Sequence, residues 1–358
     1  MRRALLILSV LALALAALSP LALAAEKLKV GFVYVGPVGD GGWSYQHDLG
    51  RKHLEEVLKD RVETSYVEAV PEGADAERVF EEFARRGFKV IFGTSFGYMD
   101  PMLRVAERYP DVVFMHCSGY KRAKNMGTYF GKIEQPRYLS GLVAGAMTRS
   151  NLIGYVAAFP IPEVIRGINA FTMGVRKVNP QARVRVVWTF SWYDPPKEKE
   201  AAKALISAGC DVLAMHADSG AVPQAAEESG VWVVGYNSDM SKFAPTRHLT
   251  APVWKWGAVY EAVVRDVMEG RWKSEDIWWG LERGVVDLAP INKAVPQEIA
   301  KLVEEEKARM ASGQLEIFTG PIKDQSGKVV VEEGRRMTDE EILSMKYFVE
   351  GVEGNIPQ

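Results

Sequence analysis

LKVGFVYVGPVGDGGWSYQH, residues 28–47, decides the fold. Its first eight residues form a short apolar run, which predicts a buried strand. A loop with four glycines follows, and Tyr45 begins a segment whose apolar residues recur at the spacing of a helix. Strand, glycine-rich loop and helix in this order are typical of an α/β sheet whose functional loops leave the carboxyl ends of its strands.

The same alternation of strand and helix continues far along the chain. Strands are predicted at residues 28–35, 62–69, 89–95, 112–117, 152–159, 182–190, 211–217 and 231–237. Helical patterns of about 10–15 residues lie between them, which favours parallel strands joined by right-handed crossovers. Because the series restarts near residue 152, we expect an α/β protein with two doubly wound parallel sheets. A ligand crevice should lie between their carboxyl edges.

Composition narrows the class of protein. The chain has 358 residues, of which 47% are hydrophobic and 25% charged, so two globular cores are expected. A formal net charge of −2 gives no reason to expect a nucleic acid as partner. The two cysteines and five histidines show no metal-ligand spacing, so we expect two buried free thiols, no metal and no cofactor. We also expect a monomer.

The first 25 residues differ from the rest. Arg2 and Arg3 precede an apolar run over residues 4–18, and a small-residue sequence ends at Ala25. This pattern predicts a secretory signal peptide, because the apolar run is shorter than the ~20 residues of a membrane span. A membrane anchor is the alternative. No cysteine near the cleavage site could carry a lipid, so we expect a soluble periplasmic or extracellular protein without a lipid anchor.

The glycine-rich loop offers the first candidate binding residues. Asp40 lies within it, and Trp43 stands at the start of the following helix, where its ring could stack on a flat ligand. The alternative is that Trp43 only packs onto the sheet. A nucleotide-phosphate loop is excluded because the G-x-G-x-x-G spacing fails and no Lys-Ser/Thr pair follows.

Gly93-Thr94-Ser95-Phe96-Gly97 matches G-x-S-x-G, the signature of a serine hydrolase. Asp239 and His248 follow in the chain order of that class. They are only nine residues apart, however, and a doubled α/β series is not a hydrolase sheet. We therefore predict no enzyme activity and interpret Ser95 and Phe96 as ligand contacts, with the secreted hydrolase as the alternative.

Polar and aromatic residues also follow the later strands. Asp218 comes after the strand at 211–217, and Asn237 and Asp239 come after the one at 231–237. Trp254 and Lys255 belong to a Trp-Lys-Trp sequence that core packing alone explains poorly. All five are candidate ligand contacts, although Asp218 and Asn237 would also serve as helix caps.

Several of these motifs in combination resemble the basic membrane protein (BMP) family of binding proteins. They are GFVYVGPVGDGGWSYQH, GTSFGYMDP, KALISAGCDVLAMHADSGAVPQAA, VGYNSDM and SGQLEIFTGP. The resemblance implies a type I periplasmic-binding-protein fold with two lobes joined by a three-segment hinge. It also implies a purine nucleoside or base as ligand, delivered to the permease of an ABC importer. Residues 26–131 and 254–282 are assigned to the N-terminal lobe, and 132–253 and 283–358 to the C-terminal lobe.

The resemblance assigns roles to individual residues. Trp43 stands where the family has a Phe that stacks on the base, and Asp40 lies in the family's acidic loop. Asn237 and Asp239 fall in a G-V-D-x-D segment, and Lys255 matches a Lys of the crevice wall. The first Asp of that segment binds the ribose, and here it is Asn237.

Losing that charged acceptor weakens the binding of a sugar, so we expect a purine base (adenine-like) rather than a nucleoside. The alternative within the family is that Asp239 binds the ribose instead. A sugar or amino-acid receptor of the same fold is a further alternative.

Overall fold

The computed structural model describes residues 26–357, so the predicted signal peptide at 1–25 lies outside the described residues. Within them, no helix is both long and apolar enough to cross a membrane. The strands are β1 (Leu28–Val33), β2 (Val62–Val67), β3 (Val90–Gly93), β4 (Val113–Cys117), β5 (Met126–Gly131), β6 (Leu152–Ala157), β7 (Arg183–Trp188), β8 (Val212–His216), β9 (Trp232–Val234), β10 (His248–Thr250), β11 (Pro252–Trp254), β12 (Asp276–Trp279), β13 (Val286–Leu288), β14 (Ile322–Lys323), β15 (Val329–Val331) and β16 (Val352–Glu353). The helices are α1 (Trp43–Leu58), α2 (Ala74–Arg85), α3 (Met99–Arg108), α4 (Glu134–Met147), α5 (Pro162–Val178), α6 (Pro195–Ser207), α7 (Ala221–Ser229), α8 (Gly257–Met268), α9 (Gln297–Ala311) and α10 (Asp339–Leu343).

Two large sheets organise these elements, each with six parallel strands. The strand order is β12-β5-β4-β3-β1-β2 in the first sheet and β10-β9-β8-β6-β7-β16 in the second. In each sheet the first strand, β1 or β6, lies inside the sheet, and later strands are added on both sides of it. The loops that leave the carboxyl end of this strand and of its neighbour therefore diverge, and a crevice forms between them. We call the first sheet with its helices α1–α3 and α8 the first lobe, and the second sheet with the remaining helices the second lobe. The two doubly wound sheets are those predicted from the sequence.

The chain passes between the lobes three times. The crossings lie between β5 and α4, between β10 and α8, and between β12 and α9. Two of them are joined to each other, because β11 and β13 pair antiparallel with Val253 opposite Asp287. The fold therefore contains the three-segment connection that was expected.

The central strands are buried along their whole length, as in parallel sheets covered by helices on both faces. This holds for β3, β5, β6 and β8, whereas the edge strand β2 is largely exposed after its first residue. Cys117 and Cys210 are buried and free, as the sequence predicts.

The sequence pattern does not predict β5. Its residues, MGTYFG, contain two glycines and a threonine and fall in none of the predicted strands. The strand exists because it pairs with β4 on one side and with β12, almost 150 residues later, on the other. Such distant pairing overrides local propensity.

Candidate functional site

A cavity lies where the carboxyl edges of the two sheets face each other. Its empty space is about 330 Å³, which includes the part that opens to solvent. Its walls come from the ends of strands, or the loops after them, in both lobes. The lining consists of Val35, Trp43, Thr94, Ser95, Phe96 and Ser118 from the first lobe, and Glu163, Trp192, His216, Asp218 and Tyr236 from the second.

Trp43 is held firmly at the first-lobe wall. Its indole N–H donates to the carbonyl oxygen of Thr94 at 2.6 Å. Its ring meets those of Trp254 and Trp256 edge-on, with centroids 5.5 and 5.6 Å apart. Trp43 is only 8% exposed, yet it lines the cavity. The residue is therefore both part of the core and part of the candidate site, and the two sequence-based interpretations are not exclusive.

Asp40 shapes the glycine-rich loop from behind the cavity wall. Its carboxylate accepts hydrogen bonds from the backbone N–H groups of Gly42, Ser44 and Tyr45, at 2.7 to 3.0 Å. Burial raises the pKa of Asp40 to about 6, although these three hydrogen bonds act in the opposite direction. Asp40 is not among the lining residues, and its hydrogen bonds fix the loop at the start of α1.

The same loop contacts the second lobe. Ser238 Oγ donates to the carbonyl oxygen of Gly41. Gly42 packs so closely on Asp218 that a Cβ atom at this position would overlap the Asp218 carbonyl oxygen. At Gly39, by contrast, a Cβ atom would meet no other atom within 4 Å. The lobes thus touch across the cavity, and the arrangement is a closed one.

Ser95 and Phe96 line the cavity, but Ser95 has no histidine on its hydroxyl. Its Oγ donates to Glu72 Oε1 at 2.5 Å, while His116 Nε2 lies 2.8 Å from the Ser95 carbonyl oxygen. Burial lowers the pKa of His116 to about 4, so this imidazole is neutral near pH 7. These hydrogen bonds hold the loop after β3 in place, and the Ser95 hydroxyl lies at the cavity as a polar group rather than as a nucleophile beside a base.

The residues proposed as its hydrolase partners stay away from the cavity. His248 lies in β10, an edge strand of the second sheet, with its Nδ1 atom 3.8 Å from Asp239 Oδ1. Neither residue lines the cavity that contains Ser95. The serine-hydrolase alternative is therefore not favoured, because a triad needs its members within hydrogen-bond reach.

Asp218, Asn237 and Trp254 form one chain of hydrogen bonds. Asn237 Nδ2 donates to Asp218 Oδ1 at 3.0 Å, and the Trp254 indole N–H donates to Asn237 Oδ1 at 2.9 Å. Only Asp218 lines the cavity, whereas Asn237 and Trp254 are fully buried behind it. The sequence placed all three in the site, and the structure places two of them one layer back.

Asp239 and Lys255 are not brought to the cavity. The Asp239 side chain is 48% exposed, and its Oδ1 atom accepts a hydrogen bond from the backbone N–H of Ser241. The Lys255 side chain is 57% exposed and pairs with Asp287. Successive side chains of an extended chain point to opposite sides. Because Trp254 at the end of β11 points inward, Lys255 points outward.

Tyr236 and His216 are lining residues that the sequence analysis did not single out. The guanidinium of the fully buried Arg137 lies 3.6 Å from the centre of the Tyr236 ring, and it also donates to the Met215 carbonyl oxygen. His216 Nε2 lies 3.4 Å from Glu163 Oε1. Burial lowers the pKa of His216 to about 4, so it stays neutral near pH 7.

The missed lining residues share a recognisable position. Glu163 lies at the start of the helix that follows β6, and Trp192 lies in the loop that follows β7, as Trp43 and Ser95 follow β1 and β3. Polar and aromatic residues in the segment after any parallel strand are candidates for ligand contact, and this rule predicts both residues. The rule does not find Arg137, because α4 follows a crossing between the lobes rather than a strand of the second sheet.

Comparison with known proteins points to one family. A family model described as "ABC transporter substrate-binding protein PnrA-like", named Bmp, matches residues 27–318. The chain is 49% identical to a purine-binding protein of Brucella abortus, over 94% of this chain and 95% of that protein. It is 44% identical to a protein of Haloferax volcanii named as a candidate ABC transporter glucose-binding protein, over 93% of this chain and 82% of that one.

A solved structure agrees with this. The solute-binding protein of an ABC transporter system from Conexibacter woesei superposes with a TM-score of 0.67 at 25% identity. The match covers 81% of this chain and 98% of that structure. A match of this extent includes residues of both lobes.

Proposed function

This chain belongs to the Bmp family of PnrA-like ABC transporter substrate-binding proteins, and we propose on that premise that it captures a purine base, adenine-like, in the cavity between its lobes. Membership implies a small-molecule ligand and a permease partner. The observation that carries the choice of ligand is the combination of aromatic rings from both lobes with the carboxyl group of Asp218 in one cavity. We propose that the protein carries out no chemistry on the ligand.

The aromatic lining supports a flat ligand. Trp43 and Phe96 come from the first lobe, and Trp192 and Tyr236 from the second. Base–aromatic stacking contributes about 1–3 kcal/mol per base. Two carboxyl groups, Asp218 and Glu163, face the same space and can accept the N–H groups of a base. The relationship to a purine-binding protein at 49% identity points in the same direction.

The bonding of Asn237 supports a base rather than a nucleoside. One of its two amide N–H groups donates to Asp218, and its amide oxygen accepts from Trp254. Asn237 is fully buried and does not line the cavity, so it is not presented to a ribose, and Asp239 lies at the surface. Without a charged acceptor at position 237 or 239, where the resemblance places the ribose contact, the nucleoside gains little over the base.

Parallel titration of adenine, adenosine, guanine and guanosine tests the proposal. We expect a free base to bind at least as tightly as its nucleoside by calorimetry, because the riboside adds bulk without a charged partner. Mass spectrometry of the small molecule released on denaturing the purified protein checks the ligand independently. A nucleoside that binds tenfold more tightly than its base overturns the base assignment. Binding of glucose but of no purine overturns the purine assignment.

We further propose that ligand capture is a hinged closure. In this mechanism the lobes, assigned as 26–131 with 254–282 and 132–253 with 283–358, separate to admit the ligand and close over it. The three crossings and the contacts of Gly41 and Gly42 with the second lobe support it. The closed monomer then delivers its ligand to the permease.

Export is part of the proposal. We expect the signal peptide to be cleaved after Ala24 or Ala25, so that the mature protein begins at Ala25 or Glu26 and resides outside the cytoplasmic membrane. The intact mass of the protein recovered from cells checks this directly. A mass that retains Met1, or one that includes acyl chains, contradicts the proposed processing.

A further inference from the structure

Asp218 lines the cavity, and only one of its two carboxyl oxygen atoms has a hydrogen-bond partner among residues 26–357. Its Oδ1 atom accepts from Asn237, and its Oδ2 atom accepts no hydrogen bond from residues 26–357. Asn237 is itself fixed by Trp254 and is fully buried. The carboxyl group therefore has a set orientation, and Oδ2 is the atom left for a ligand.

The surroundings of Asp218 oppose a negative charge. Burial raises the pKa of Asp218 well above its usual range, and the nearby carboxylates of Asp40, Glu198 and Glu163 raise it further. The hydrogen bond from Asn237 acts in the opposite direction but is a smaller effect. The titratable groups on the elements around it are Asp40 before α1, Glu163 in α5, Glu198 in α6, His216 in β8, Tyr236 after β9, and Lys242, whose ammonium lies over the Tyr45 ring.

None of those groups supplies a compensating cation at Oδ2. The buried guanidinium of Arg137 in α4 packs on the Tyr236 ring and donates to the Met215 carbonyl oxygen, and that of Arg166 in α5 pairs with Glu134. His216 is neutral near pH 7 because burial lowers its pKa to about 4. Lys242 lies 5.3 Å from the centre of the Tyr45 ring, at the side of the glycine-rich loop. Glu198 accepts a hydrogen bond from Ser219, and burial raises its pKa as well. Clustered carboxyl groups with little water favour the neutral acid.

We infer that Asp218 meets the purine as a neutral carboxylic acid, donating its Oδ2 hydrogen to an unprotonated ring nitrogen and accepting an N–H group beside it. This inference rests on the proposed function. Free adenine presents that pattern at three places: its amino group lies next to N1 and next to N7, and its N9–H group lies next to N3. An ionised carboxylate would instead suit two adjacent N–H donors, which guanine offers at N1 and its 2-amino group and adenine does not.

The variant Asp218→Asn provides the test, because an amide is a permanently neutral donor and acceptor of nearly the same shape. It can still accept from Asn237 while its N–H replaces the acid O–H. We expect Asp218→Asn to bind adenine within about threefold of the wild type, and Asp218→Ala to lose about tenfold or more. A tenfold loss in Asp218→Asn, or full affinity in Asp218→Ala, overturns the inference.

The effect of pH has a defined sign. If the neutral acid binds adenine, the affinity of the wild type is constant below the pKa of Asp218 and declines about tenfold per pH unit above it. Titration between about pH 5.5 and 8.5 should show either that decline or a constant value, and Asp218→Asn should show no decline. Wild-type affinity that rises with pH overturns the inference.

Analogues of adenine locate the contact. Replacing N1, N3 or N7 by carbon removes one acceptor at a time, and we expect one of these three deaza-adenines to bind the wild type about tenfold more weakly than adenine does. Asp218→Ala should not distinguish that analogue from adenine. Equal binding of all three by the wild type overturns the inference, whereas failure of the wild type to bind any purine overturns the proposed function itself.

Discussion

Replacing Gly42 with alanine is expected to weaken adenine binding about tenfold or more while leaving the melting temperature nearly unchanged. The added Cβ atom would overlap the carbonyl oxygen of Asp218 on the opposite lobe. Asp40 holds the Gly42 backbone by a 2.7 Å hydrogen bond, so the overlap is relieved most easily by parting the lobes. Overpacking of this kind costs about 1–3 kcal/mol, and 1.4 kcal/mol corresponds to tenfold in affinity.

The matched control is Gly39→Ala, three residues earlier in the same loop. A Cβ atom there meets nothing within 4 Å, so binding should be unchanged. Calorimetry gives the affinity of both variants, and thermal unfolding without ligand gives their stability. A smaller fraction of closed molecules lowers the apparent affinity in the same proportion. If Gly42→Ala therefore binds as tightly as the wild type, the closed arrangement is not the ligand-bound form.

Replacing Trp43 with alanine is expected to weaken both binding and folding. Stacking on a base contributes about 1–3 kcal/mol, which corresponds to roughly ten- to a hundredfold in affinity. Because Trp43 also packs against Trp254 and Trp256, its removal leaves a core cavity. A buried tryptophan truncated to alanine costs about 3–5 kcal/mol of the free energy of unfolding.

Two variants separate these effects. Trp43→Phe keeps a stacking ring but loses the hydrogen bond to Thr94, so its affinity should fall less than that of Trp43→Ala. Trp232→Ala removes a tryptophan at the start of β9, at the end of the sheet far from the cavity, and should reduce stability without changing affinity. Calorimetry and urea unfolding are measured on all three. Unchanged affinity in Trp43→Ala removes this residue from the site.

Much of the architecture could be predicted from the sequence. The type I periplasmic-binding-protein fold is confirmed by the two parallel six-stranded sheets and by the similarity to a solute-binding protein. Periodicity was sufficient where a strand is a continuous apolar run, as in β6. It failed for β5, whose identity depends on neighbours distant in sequence, and for the two-residue strand β16 at a sheet edge.

The candidate site was predictable in position but less so in orientation. Residues after strands, such as Trp43, Ser95 and Asp218, do line the cavity. Asn237 follows a strand as well, but its backbone has φ of 68° and its side chain is turned to Asp218 and Trp254. A left-handed backbone conformation of a single residue redirects its side chain and leaves no signature in the sequence beyond its identity as Asn.

The edge-to-face contact of Trp43 with Trp254 has an optical consequence. Trp43 belongs to the first lobe and lines the cavity, whereas Trp254 ends a strand of a crossing segment and lies behind it, with ring centres 5.5 Å apart. Opening the lobes would admit water to the Trp43 indole, and a stacked base would cover it. Because indole emission shifts with the polarity around the ring, we expect the emission of Trp43 to report occupancy of the cavity without an attached dye.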